Sequence, residues 1–491
     1  MGPPTRLLQL GLMVAAISYM YTIYTRNRSE HSASVEQAIL NGWNKIIAPP
    51  SIQFRKIVVG INCNVDLVVS GTALLRKLLL KSSSGVAQPK DAIATPEELE
   101  ETFAYYFSRG AAAERYISNG KVFDQALIVL ENQLRHQTES SIGGNAAIMA
   151  TKLASSYVKA KVMLVGPIGP RLKALLHPNI ITQNSTKISK DELHIAMEYK
   201  QGEIWGDNVA PSSNRFIVSH DVFSGSSISI DIFFNTLAVQ RPDLVVLSGL
   251  HLLEFQETEL WTDKLKLIKR NLGQLSPHLP VHLELGSMSD KDFVRNLLFR
   301  IIPHVDSIGL NEQELAFISA VGSGPNSTAV AGATHVYKAV DVLYWLITTF
   351  GRDPTDPKRA ANRLQRIHFH CLTYHIMVSV GSDWSNLQAG LAAGVRLAGR
   401  QACGLSGDES SGAPGLVELR TADTVVLDKE QDRVYELNPH APITSWMRDD
   451  VLFIFSPTLV CKHPTKTVGL GDAISATGLS FSQFYRYDRS A

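Results

Sequence analysis

The chain has 491 residues, 45% of them hydrophobic and 19% charged, with a formal net charge of +1. That is globular composition, long enough for one large domain plus a second or an elaborate insertion. Near-neutral charge without a sustained Lys/Arg run argues against a nucleic-acid partner, and four scattered cysteines without Cys-x-x-Cys spacing argue against structural zinc.

At the amino terminus, residues 7–24 run apolar after Arg6 and before Arg26 and Arg28. Residues 1–28 are therefore expected to be a signal peptide or membrane anchor, the apolar run being intermediate between a signal core and a minimal span. Entry to the secretory route implies the endoplasmic reticulum lumen or a tether to its membrane, with secretion as the alternative. Three Asn-x-Ser/Thr triplets, at Asn27, Asn184 and Asn326, fit glycosylation in such a compartment. One disulfide among Cys63, Cys371, Cys403 and Cys461 fits it too, with the pair left open.

Residues 29–51 read as a linker, and the body as 52–491. Lys56–Asn62 is the first of several short apolar strands, followed by Lys161–Gly169, Asp243–Gly249, Val281–Leu285 and Val305–Leu310, most with glycine or polar residues near the carboxyl end. Helical stretches are expected over Glu98–Tyr116, Gly144–Val158 and Thr258–Leu272. This alternation predicts an α/β fold, a mostly parallel central sheet flanked by helices, with ligands beyond the carboxyl ends of its strands. The stretches 68–135 and 187–234 break the alternation and are expected to form a smaller, discontinuous lid domain. The Gly/Ser-rich run 404–415 reads as a surface loop.

Several constellations could carry chemistry. Asn62-Cys-Asn-Val-Asp66 leaves the first strand with groups suited to a polyhydroxylated ligand, although an Asx turn would use the same residues. Ser141-Ile-Gly-Gly-Asn145 opens a helix with glycines that allow close backbone approach. Strand alternation puts His282 and Glu284 on one face, where a buried carboxylate must be paired, hydrated or near a metal. Asn311 and Glu314 share a helix face and could reach one hydrated cation, or could merely cap the helix. Arg215 precedes an apolar run in a lid segment, where a guanidinium can neutralise a transferring phosphoryl group. Finally, Thr467-Val-Gly-Leu-Gly-Asp472 places backbone N–H donors and one acid at a helix start, which suits phosphate. Asp472 is there either as a cap or as a base. No Gly-x-Gly-x-x-Gly follows the first strand, so a nicotinamide-dependent dehydrogenase is not expected.

The order His282-Leu-Glu284, Asn311-Glu-Gln-Glu314, Gly469-Leu-Gly-Asp472 resembles the ADP-dependent sugar kinases, a branch of the ribokinase-like superfamily, over nearly the whole body. Within that family the chain is most similar to the animal members that phosphorylate glucose, which also carry a leading apolar segment. The resemblance implies a ribokinase-like fold and Mg2+-dependent transfer from ADP to the 6-hydroxyl of glucose, with Asp472 as base and Arg215 bracing the phosphates. Gly469, Leu470 and Gly471 would hold the developing charge, and Glu284, Glu314 and Asp472 would act through the magnesium and its waters. Asn64, Asp66, Glu114, Gly143, Gly144 and Asn145 would face the sugar, and the approach through His463, Thr465 and Val468 would form the adenine pocket. A monomer is expected. An ATP-dependent ribokinase-like sugar or nucleoside kinase and a non-catalytic sugar-binding protein are the alternatives.

Overall fold

The computed structural model describes residues 34–81, 88–156, 160–223, 227–326, 335–405, 415–465 and 468–486. The apolar leader and the triplet at Asn27 lie outside these residues, as does most of the run 404–415. Among the described residues no helix is long and apolar enough to cross a membrane.

A ten-stranded sheet forms the body, in the order Thr444–Arg448, Val451–Pro457, Tyr374–Val380, Arg366–His370, Ser307–Asn311, Val281–Glu284, Leu244–Leu247, Lys56–Gly60, Lys161–Val165, Ile180–Thr182. From Arg366–His370 through Ile180–Thr182 every pairing is parallel, and the three on the other side are antiparallel. Four-to-five-residue strands such as Leu-Val-Val-Leu and Val-His-Leu-Glu are buried throughout, which requires cover on both faces. One face, with Val58 and Val245, packs on helices that include Ser227–Gln240, Thr258–Gly273 and Val336–Phe350. The other, with Val59 and Val246, lies under Asn145–Ser155, Leu387–Ala402 and Leu470–Phe481. Small residues let the last two helices touch: a Cβ on Gly390 would stand 2.7 Å from the Gly478 carbonyl oxygen.

A second sheet of six strands runs Ala92–Ile93, Ala113–Ile117, Asn214–Ser219, Leu193–Tyr199, Asn64–Ser70, Glu139–Gly143. Its alternation is clean. Val65, Leu67, Val69, Ile195, Met197, Phe216 and Val218 face the helices Gly71–Lys77, Pro96–Phe107 and Gly120–Asn132. The opposite face carries Asp66, His194, Glu114 and Arg215. This sheet extends beyond the expected bounds, taking in Asn64 and Gly143, whereas Ser227–Gln240 packs on the large sheet instead.

Two other expectations differ. The helix expected over Glu98–Tyr116 is Pro96–Phe107, opened by a Thr95/Glu98 capping box and followed by Gly110 at φ +59°, so Glu114 sits on a strand. Residues 34–46, read as linker, are a helix whose Ile39, Leu40 and Trp43 are buried against Ala392, Val395, Val417 and Leu459. Trp43 Nε1 also donates to Ser456 Oγ at 3.0 Å. A disulfide joins Cys403, after the helix Leu387–Ala402, to Cys461, leaving Cys63 and Cys371 free.

Candidate active site

The helix Leu470–Phe481 starts at Gly469, whose φ of +66° and close approach to Ile148, 2.5 Å from a would-be Cβ, require glycine. Gly471 lies against His370 in the same way, at 2.8 Å. The helix has no side-chain cap. Asp472 lies in the first turn, and its Oδ1 accepts from Asn145 Nδ2 at 2.8 Å. Asn145 is itself oriented, because Asn62 Oδ1 accepts from Ala146 N (3.1 Å) and Asn62 Nδ2 donates to Asn145 Oδ1 (3.2 Å). Burial, then the charge of Glu284, push Asp472 up to about 7, against the pull of Asn145, Arg215 and His370.

Glu284 lies behind that helix, buried, accepting from Ser475 Oγ and bonded to His282 Nε2, each at 3.0 Å. Arg366 Nη1 donates to Ser307 Oγ at 2.8 Å, so the Ser307 hydroxyl proton is directed to His282 Nδ1, 2.9 Å away. The network thus assigns the His282 proton to Nε2, facing Glu284. Burial keeps His282 below its ordinary pKa, consistent with a neutral ring. Gly309 makes room for this carboxylate, since a Cβ there would fall 2.0 Å from Glu284 Oε2.

Asn311 and Glu314 form a capping box: Asn311 Oδ1 accepts from the Gln313 and Glu314 backbone, and Glu314 Oε2 accepts from Asn311 N at 2.9 Å. Capping does not exhaust the role of this acid. Burial first, and then repulsion from Glu284, Asp472 and Glu312, push Glu314 up to about 8 against the pull of its hydrogen bond from Asn311 N. Glu312 and Glu284 are also raised, burial being the largest cause for each. Clustered carboxyls that disfavour one another's ionisation suit a cation. Among the described residues, however, no three His, Cys, Asp or Glu side chains converge tightly enough to hold a metal directly. The fit is to a hydrated ion with few protein ligands.

The polar face of the smaller sheet supplies the other wall. Asp66 and His194 are register partners, and Asn64 Nδ2 donates to Asp66 Oδ1 at 2.6 Å. Gly143 must be glycine beside them, because a Cβ would stand 2.0 Å from Asp66 Oδ1; at Gly144, with φ +78°, a Cβ would stand 2.7 Å from Asn64 Oδ1. Burial raises Asp66 to about 6 even with His194 near it. Burial lowers Arg215, while the charges of Asp472, from the one wall, and Asp66, from the other, oppose that shift. Burial opposes charge on His194, yet Asp221, whose oxygens are both 3.0 Å from Nε2, raises it to about 10.

His463 and Thr465 stand exposed on the turn after the strand Leu459–Cys461, where Thr465 N donates to Ala402 O at 2.8 Å. Among the described residues no hydrogen bond or ion pair joins His463, Thr465 or Val468 to Glu284, Glu314 or Asp472. Sequence reasoning missed His194, Asn62 in its orienting role, Ser475 and Arg366. His194 was signalled by the alternation His-x-Ala-x-Glu against Ile-x-Met in Leu193–Tyr199. Ser475 lies one helical turn after Asp472, on the same face.

The family described as "ADP-specific Phosphofructokinase/Glucokinase conserved region" matches residues 55–481. A probable ADP-dependent glucokinase of Caenorhabditis elegans is 51% identical over 489 residues, 99% of this chain and 96% of that one. The ADP-dependent glucokinase of Bos taurus is 37% identical, covering 92% and 89%. Among solved structures, an ADP-dependent kinase in complex with fructose 6-phosphate and ADPβS superposes with a TM-score of 0.65 at 19% identity, over 92% of this chain and 98% of that one. The ribokinase-like fold expected from the sequence is the fold observed.

Proposed function

Since the chain belongs to the ADP-specific phosphofructokinase/glucokinase family, we propose that it transfers the β-phosphoryl group of ADP to the 6-hydroxyl of glucose, giving glucose 6-phosphate and AMP. The observation that carries this reading is the Asn145-held carboxylate of Asp472 at the helix start, facing the polar wall of the smaller sheet. With Oδ1 occupied by Asn145, Oδ2 takes the hydroxyl proton as the sugar oxygen bonds to the β-phosphorus. The bond from that phosphorus to the bridging oxygen breaks, and AMP leaves with the electron pair. First-turn N–H groups at Leu470, Gly471 and Asp472 stabilise the charge developing on the phosphoryl oxygens, and Arg215 balances it from the other wall. A hydrated Mg2+ held through Glu284, Glu314 and Asp472 would neutralise the diphosphate.

Chemistry favours a neutral acceptor over a sugar phosphate. Asp66 and Glu114 put two carboxyls on the acceptor wall, and a second phosphate there would meet both. Asn64, Gly143, Gly144 and Asn145 complete that wall. His463, Thr465 and Val468 are proposed to border the adenine. The smaller sheet acts as a lid that excludes water from the phosphoryl group. The leader is proposed to deliver the enzyme to the endoplasmic reticulum lumen or its membrane, which the Cys403–Cys461 disulfide supports. Assaying ADP and ATP side by side with glucose and Mg2+ tests the reading: ADP must be the better donor, and a preference for ATP defeats it.

A further inference from the structure

Glu114 is approached by imidazoles from both sheets. His194, at the centre of the smaller sheet, brings Nδ1 to 3.4 Å from Oε1. His251 arrives from the other side, on the short helix Leu250–Phe255 that follows the large-sheet strand Leu244–Leu247, with Nε2 3.6 Å from Oε2. Despite these neighbours, Oε1 is buried without a hydrogen bond. Both spacings are longer than a good hydrogen bond; even so, against burial, which opposes its charge, His251 and then His194 hold the Glu114 carboxyl below its ordinary pKa.

The short helix touches the lid strand Ala113–Ile117 at a second point. Phe255 stacks on Tyr116, with ring centroids 5.5 Å apart and planes 17° from parallel. His251 and Phe255 are four residues apart on one element; Glu114 and Tyr116 are two apart on the other. Glu114 and Tyr116 therefore project from one side of their strand, and the short helix that carries His251 and Phe255 meets both of them, a paired contact between the body and the lid. On its own side His251 has little freedom. It is 2% exposed, and its ring fills the space over Gly286, where a Cβ would lie 2.3 Å from Nδ1. Glu254 is the other acid near it.

We propose that His251 is a positioning residue for the acceptor sugar: anchored to the large sheet, it holds Glu114 Oε2 and so turns Oε1 toward a sugar hydroxyl when the two sheets meet. This rests on the glucose kinase reading above. Contacts of this length between catalytic-site groups tighten into hydrogen bonds in a substrate complex.

The test is a double-mutant cycle in the full chain with His251→Ala and Glu114→Gln, reading KM for glucose, KM for ADP and kcat, with folding checked by circular dichroism. Losing a hydrogen bond to a charged group should raise KM for glucose about tenfold in His251→Ala, with KM for ADP within about twofold. The double variant should be no worse than Glu114→Gln alone, because His251 acts through that acid. His251→Gln, which keeps an N–H donor, should recover KM for glucose to within about threefold of wild type. Additive losses, or equal rises in both KM values, overturn the role of His251 while leaving the kinase reading standing. A wild-type protein inactive on ADP and glucose overturns both.

Discussion

Asn145 Nδ2 donates to Asp472 Oδ1 at 2.8 Å, joining the first residue of one helix to the first turn of another, 327 residues away in sequence. This bond lowers the carboxyl's pKa, while burial and Glu284 raise it to about 7. A base must be ionised to work, so kcat/KM for the wild type should fall on the acid side of that region. Asn145→Ala removes a bond that favours the ionised form, and the acid limb should move to higher pH with kcat down about tenfold or more. A pH–rate profile whose acid limb stays in place contradicts the coupling.

Glu314 gives a stability prediction whose sign can be worked out. Its pKa is raised from 4.5 to about 8 in the folded protein, so between those values the native state binds more protons than the unfolded chain. Stability therefore falls as pH rises through that window. Glu314→Gln should flatten this decline in melting temperature measured without divalent ions from pH 5 to 8. Added Mg2+ should stabilise the wild type more at pH 8 than at pH 5, by mass action on the ionised site. Equal stabilisation at both pH values argues against these acids as its site.

Gly143→Ala separates the two substrates. Its Cβ would fall 2.0 Å from Asp66 Oδ1 and 2.3 Å from Asn64 Nδ2, so both side chains must move. Overpacking of this kind costs about 1–3 kcal/mol. The expected result is a folded protein with KM for glucose raised at least about tenfold and KM for ADP little changed. Equal rises would show that Asn64 and Asp66 do not face the acceptor.

Much of this fold was legible because its strands are short apolar runs ending in polar residues, and a run such as Leu-Val-Val-Leu has few other uses. The errors have local causes. Ala111-Ala-Ala-Glu-Arg115 looks helical by propensity, yet pairing with Phe216–Ser219 makes its latter half a strand. In residues 34–46, polar positions hide an apolar stripe of Ile39, Leu40 and Trp43 that means something only against Ala392 and Val395. The three-motif order located Glu284, Glu314 and Asp472, but not their neighbours. Ser307, Arg366 and Ser475 bond to the site through tertiary contacts that no short spacing encodes.

The helix 34–46 makes its own prediction. Trp43 is fully buried and bonded to Ser456, so Trp43→Ala should cost about 3–5 kcal/mol, from lost burial and the cavity left behind. Differential scanning calorimetry should show a lower melting temperature, while KM for ADP and glucose stays near wild type. An unchanged melting temperature would mean that this helix does not dock on the body.

The most direct test replaces Asp472 with asparagine and measures initial rates with ADP, glucose and Mg2+. Asparagine keeps the size and can still accept from Asn145, but it cannot take the hydroxyl proton. With Asp472 as the base, kcat falls at least about 100-fold while KM for glucose and melting temperature stay near wild type. Turnover within a few fold of wild type would contradict Asp472 as the base.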